Sequence, residues 1–257
     1  MSTTTSTSTP PPTAPARPGA APASRRTAAL AGALYLLTFA SSIPALAVLD
    51  PVLSDPRYVL GTGADTRVAL GCLLLLVNAF ACVGTAVVLH PVLQRHGSTL
   101  ALGFVASRVL EAAIVVAGAL CLLAVVQLRG EAGGADAADP QGLASAAAAL
   151  VAGYDVSFQL VPVMAVANAL LLGTLVHRSR LVPRAVPLLG LVGAAPLLAA
   201  STATVLGVND QFSALSLLAL PGVFLWELSL GLHLLVRGFR PSPAAAGQRS
   251  DPAPAAV

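Results

Sequence analysis

The chain has 257 residues, of which 56% are hydrophobic and only 10% charged, and its mean hydropathy is +0.82. A soluble domain carries about 25% charged residues, so a fold this poor in charge has too few polar groups to cover a water-facing surface, and lipid is the solvent it fits. All 14 basic residues are Arg, the 11 acids leave a net charge of +3, and no basic stripe interleaved with aromatics exists, which excludes a nucleic-acid partner.

In chain order, residues 1–26 are mostly Ser, Thr, Pro, Ala and Gly. They hold almost no large apolar side chain to bury, so a disordered tail is expected. The first long apolar run covers 28–49. Arg25 and Arg26 precede it, and Ala45-Leu46-Ala47 has the form of a signal-peptide cleavage site. The run is longer than the 7–15 residues of a usual signal-peptide core, so an uncleaved span is expected.

Five more runs follow at 68–89, 100–128, 156–177, 185–206 and 213–236. Crossing about 30 Å of hydrocarbon takes about 20 helical residues, and each run is long enough. The third exceeds the need and is expected to tilt or protrude. Pro44, Pro162, Pro187, Pro196 and Pro221 fall inside the runs, as spanning helices tolerate. The runs are continuously apolar rather than alternating, which excludes a β-barrel. An all-α membrane bundle of six transmembrane helices is therefore predicted over 27–240. Between the third and fourth runs, 130–142 reads as mobile and Ala-rich 143–153 as a short surface helix. Residues 241–257 read as a second disordered tail.

Arginine placement predicts the orientation. Arg17, Arg25, Arg26, Arg95, Arg178, Arg180, Arg184, Arg237, Arg240 and Arg249 fall on one side of the predicted bundle; Arg57, Arg67 and Arg129 fall on the other. Both termini are thus expected in the cytoplasm, with the chain in the cell's inner (plasma) membrane.

The informative residues are polar ones inside the runs. Arg108 and Glu111 lie on the third, Glu227 on the sixth, Asn78 on the second, Asn168 on the fourth, and Tyr35 and Thr38 on the first. Counted from the cytoplasmic ends, Arg108, Glu227, Asn168 and Tyr35 sit about 12–14 Å deep, and Glu111, Asn78 and Thr38 near 16 Å. Five helices thus place polar groups in one slab. A charge at such depth costs at least about 2.5–3.5 kcal/mol, so these groups are expected to face the interior and pair. Arg108 and Glu111, spaced i, i+3, share a helix face; Glu227 is level with Arg108 and in reach across the bundle. Two carboxylates against one guanidinium leave one negative charge, to be met by a proton or a cation. The same cluster also suits a purely structural role as helix-association glue.

Other chemistry finds little support. Cys72, Cys82 and Cys121 lie in apolar runs without paired spacing and read as small buried hydrophobes. His90, His96, His177 and His233 lie near the cytoplasmic ends and read as interfacial anchors rather than a zinc site. No nucleophile elbow, phosphate loop or dinucleotide fingerprint occurs. No catalytic residue, metal or cofactor is predicted; membrane lipids and a small-molecule or cationic ligand are the expected partners.

Several stretches resemble one family. They are Leu49-Asp50-Pro51-Val52-Leu53 with Asp55-Pro56-Arg57-Tyr58; Leu102-Gly103-Phe104 leading to Arg108-Val109-Leu110-Glu111; His177-Arg178-Ser179-Arg180-Leu181-Val182-Pro183-Arg184; and Trp226-Glu227 followed by Arg237-Gly238-Phe239. In order and spacing they resemble the bacterial membrane family known as domain of unknown function 4386, over about residues 27–240. The resemblance implies a single multi-spanning domain and a pattern that includes the Arg108, Glu111 and Glu227 positions. It brings no activity with it. The absence of Lys beside abundant Ala, Arg and Pro also fits a high-GC bacterial coding bias. Two roles remain open: a non-enzymatic protein that binds or moves a small or lipid-like ligand at the charged cluster, and a scaffold or assembly subunit in which the cluster only locks helices together.

Overall fold

The computed structural model describes residues 25–61, 63–131 and 139–240. Residues 1–24 and 241–257, which make up nearly all of the two expected tails, lie outside the described residues, as does most of the 130–142 segment. Six helices run in chain order: α1 Arg25–Ser54, α2 Asp65–Leu93, α3 Ser98–Glu131, α4 Pro140–Ser179, α5 Ala185–Val205 and α6 Ala214–Val236, with one 3-10 turn at Tyr58–Leu60. No strand occurs among the described residues. All six helices are long and apolar enough to cross a membrane. The chain is an all-α, multi-pass membrane protein. In hydrocarbon only a helix satisfies its own backbone polar groups, which is why each apolar run is one helix, prolines included.

The structure alters two details. Arg25 and Arg26, placed in the tail by sequence, open α1. The separate surface helix expected at 143–153 is instead the start of α4, a single helix of 40 residues and about 60 Å. Asp139 caps it, accepting a hydrogen bond from the Gly142 amide at 2.9 Å, and Pro140 occupies its first turn. An Ala-rich stretch entered through such a cap has no reason to break before the membrane.

Each helix packs on its neighbours in sequence, and α6 returns to pack on α1, closing a ring. Small residues let α6 approach both sides closely. On the α1 side, a Cβ added to Gly32 would lie 2.5 Å from the Gly231 carbonyl oxygen; on the α5 side, one added to Gly193 would lie 2.7 Å from Gly222, and one added to Gly190 would strike the Trp226 ring at 2.6 Å. Arg25 fastens the seam: its Nη2 donates to the carbonyls of Leu235 at 2.7 Å and Val236 at 2.9 Å. These orphan carbonyls end a helix and favour a cation.

The buried side chains form two clusters. One joins residues such as Leu89, Phe104, Leu172, Trp226 and Leu230 toward the end bearing the termini and continues along α5 and α6 through Leu197, Ala200, Ala219 and Val223. The other, at the opposite end, is built from α1 to α4 and the 3-10 turn, and takes no residue from α5 or α6. That end is clasped by Arg129 of α3, which pairs with the Asp65 carboxylate and donates from Nη1 to the Gly61 carbonyl at 2.8 Å. Tyr58 donates to the same carboxylate at 2.8 Å. Burial pushes the Tyr58 phenol up, against the pull of nearby Arg129, so it keeps the proton this bond needs.

Candidate functional site

Inside the ring, charges from two helices, α3 and α6, meet a polar side chain from α4. Arg108 is buried on α3, with its guanidinium inside the bundle. Its Nη1 donates to Glu111 Oε2 at 2.9 Å, one turn along the same helix. Its Nη2 donates to Glu227 Oε1 of α6 at 3.1 Å. Asn168 of α4 donates from Nδ2 to Glu111 Oε2 at 2.7 Å. Glu111 Oε2 therefore serves two donors, while Glu227 serves one through a single oxygen. The guanidinium carbon lies 4.9 Å from the centre of the Tyr35 ring and 5.8 Å from that of Phe104, within cation–π range.

Arg108 thus pairs with both carboxylates rather than one. Of the seven residues singled out in the sequence, the structure brings together Arg108, Glu111, Glu227, Asn168 and Tyr35. Thr38 is buried but turns to its own helix, donating to the Tyr35 carbonyl at 2.7 Å. Asn78 is buried on α2, and no hydrogen bond joins it to the cluster among the described residues. In its place on α2 stands Cys82, whose sulfur lies 3.6 Å from Arg108 Nη1. Cys82 and Phe104 were missed as cluster members. Each was in principle legible, because Cys82 follows Asn78 and Phe104 precedes Arg108 by four residues, one helical turn on the same face.

The cluster borders a cavity. It has a volume of about 280 Å³ and lies between α1, α4, α5 and α6, toward the end opposite the termini. Among the described residues Glu227 is its only ionisable lining residue. The Glu227 side chain is 14% exposed, against 8% for Glu111 and 1% for Arg108, so of the three it is the one that opens on the cavity. From Ser216 to Glu227 the lining follows α6 for about 16 Å. Four phenylalanines line it: Phe39, Phe158, Phe212 and Phe224. Phe39 and Phe224 meet edge to face, with centroids 5.0 Å apart.

The far rim is polar, and a proline explains part of it. Pro162 has no amide hydrogen, so the Phe158 carbonyl four residues earlier loses its helical donor. Gln211, from the α5–α6 connection, donates to that carbonyl from Nε2 at 3.4 Å. The Gln211 Oε1 that remains is buried without a hydrogen-bond partner. Beside it, Asn209 Nδ2 donates to Thr204 Oγ1 at 3.0 Å and Ser216 Oγ at 2.9 Å. The histidines stand away from the cavity: His90, His177 and His233 are in the last turns of α2, α4 and α6. Among the described residues no three His, Cys, Asp or Glu side chains gather as a metal site.

The family model described as "Domain of unknown function (DUF4386)" matches residues 30–238. The chain belongs to this family. No curated protein and no solved structure matches it. The matched segment of the DUF4386 chain takes in nearly the whole ring of helices, the buried ion-pair cluster and every residue that lines the cavity.

Proposed function

We propose that this protein is a non-enzymatic plasma-membrane protein that binds or moves a small or lipid-like ligand, and that the ligand sits in the cavity above Glu227. The observation that carries this is the double position of Glu227, at once a partner of buried Arg108 and the charged floor of an otherwise uncharged cavity. A carboxylate so placed has a reason beyond packing, because Glu111 alone satisfies Arg108 as a charge. By the arginine asymmetry the termini are cytoplasmic, so the cavity belongs to the outer half of the membrane.

The experiment is a thermal-unfolding comparison of purified wild type and Glu227→Gln in maltoside micelles. Each is screened with monovalent and divalent cations, phospholipids and alkylamines. At least one panel member is expected to raise the wild-type midpoint and leave that of the variant unmoved, by linkage. A wild type that answers to none of them sinks the proposal.

A second reading is favoured by one observation: Arg108 and Asn168 bind α3 to α6 and α4 to α3 through the same two carboxylates. On that reading the cluster is a helix lock in a scaffold subunit. It predicts that Glu227→Gln collapses or loses its assembly with no ligand response in the parent.

A further inference from the structure

Resting on the ligand-binding role proposed above, we infer that the ligand is a hydrophobic organic cation, a protonated amine on an apolar body, seated with its ammonium on Glu227. Three independent features of the cavity select this class.

The first is charge. With both carboxylates ionised, Arg108 set against Glu111 and Glu227 leaves the cluster one negative charge. Glu111 takes two donors on Oε2 and does not line the cavity, whereas Glu227 takes one donor on Oε1, is the more exposed of the two and lines the cavity. The surplus negative charge is therefore presented at the floor. Arg108 does not cancel it for an incoming cation. Its guanidinium is divided between Glu111 and Glu227 Oε1 and lies against the Tyr35 and Phe104 rings, so its one charge is set against two carboxylates.

The second is the wall. Aromatic residues make up only 4% of the chain, yet four of its seven phenylalanines line this one cavity. Aromatic faces attract cations and shelter their apolar bodies, and both effects strengthen where water is excluded. An anionic or zwitterionic lipid headgroup would meet no cation in the lining.

The third is the rim. Gln211 spends its amide donor on the Phe158 carbonyl that Pro162 frees, which leaves its buried Oε1 as an acceptor. A carbonyl accepts only, so this bond also settles which end of the amide is oxygen. Floor and rim both offer acceptors, and a ligand that offers donors fits both.

The test uses three probes of one shape and different charge: octylammonium, octanol and octanoate. Binding to the full-length protein in lipid nanodiscs is measured by calorimetry. Octylammonium is expected to bind more tightly than octanol by about tenfold or more, and octanoate is expected not to bind. Glu227→Gln keeps an oxygen for Arg108 Nη2 and is expected to lose that charge preference. Should this variant fail to fold, Ala165→Leu, which fills the cavity from α4 and leaves every residue of the ion-pair cluster in place, is expected to abolish octylammonium binding.

Equal binding of octanol and octylammonium overturns the cation assignment while leaving a ligand cavity in place. Tighter binding of octanoate does the same. Octylammonium binding that survives Ala165→Leu unchanged overturns it by placing the amine elsewhere. If none of the three binds, and Ala165→Leu is as stable as wild type with each, the ligand role itself falls with it.

Discussion

Glu111 and Glu227 both touch Arg108, yet they should respond very differently to truncation. In Glu111→Ala the buried guanidinium loses its Nη1 partner at 2.9 Å, and Asn168 loses the acceptor at 2.7 Å. Arg108 keeps Glu227, so the cost is that of two hydrogen bonds to a charged group, each about 1.5–3 kcal/mol. Relief of the repulsion between the two carboxylates offsets part of this, so a loss of about 3–5 kcal/mol is expected. In Glu227→Ala only Nη2 at 3.1 Å is released, and it is released beside a cavity. Arg108 keeps Glu111 and is left with no surplus charge. The expected loss is that of one charged hydrogen bond, about 1.5–3 kcal/mol. The assay is unfolding by dodecyl sulfate titration in maltoside micelles. Trp226, the only tryptophan, reports on it, being buried beside the cluster. If Glu227→Ala destabilises as much as Glu111→Ala, or more, the assignment of Glu111 as structural partner and Glu227 as free floor is wrong.

Three further outcomes follow from the packing. Gly32→Leu should break the α1–α6 seam, because even a Cβ there lies 2.5 Å from the backbone of Gly231 and Leu235; overpacking of about 1–3 kcal/mol or more is expected in the same titration, and a wild-type midpoint would refute the close approach. Arg25→Ala should weaken the seam by about 1–3 kcal/mol through the lost carbonyl bonds, while Arg26→Ala, at its exposed neighbour, stays near wild type; equal effects would remove Arg25 from the cap. For orientation, Val208→Cys, 77% exposed in the α5–α6 connection, should react with an impermeant maleimide added to intact cells, and Gln94→Cys between α2 and α3 should not. The native thiols Cys72 and Cys82 are buried and Cys121 is partly so, which keeps the background low. The reverse labelling pattern would turn the topology over.

The six helices were legible because hydrocarbon imposes a length and an apolar composition on each span, and both are properties of a contiguous stretch of chain. That Arg108, Glu111, Glu227 and Asn168 share a level, and so can meet, was legible too, since a constant rise per residue converts position into height along a helix. The extent of α4 was not, because an Ala-rich segment outside the membrane lacks the apolar signal that marks a span, and its helical start depends on the cap at Asp139.

What height along a helix cannot supply is the angle around the bundle axis. Thr38 and Asn78 lie at the right level, yet Thr38 spends its hydroxyl on its own backbone and Asn78 stands apart from the cluster that Cys82 joins. Those outcomes depend on how each helix is rotated, which is decided by contacts such as Gly32 on Gly231 and Gly193 on Gly222 between residues far apart in sequence. The cavity is likewise tertiary. Its lining comes from α1, α4, α5, α6 and the α5–α6 connection, residues far apart in sequence that only the closed ring brings face to face. The sequence alone determined what the chain dissolves in, how many helices are long and apolar enough to cross, and at what height along each helix its charges lie, since lipid acts on each segment separately. Which carboxylate is sealed and which is open was decided only when six helices packed, because exposure belongs to the assembled ring and to no single helix.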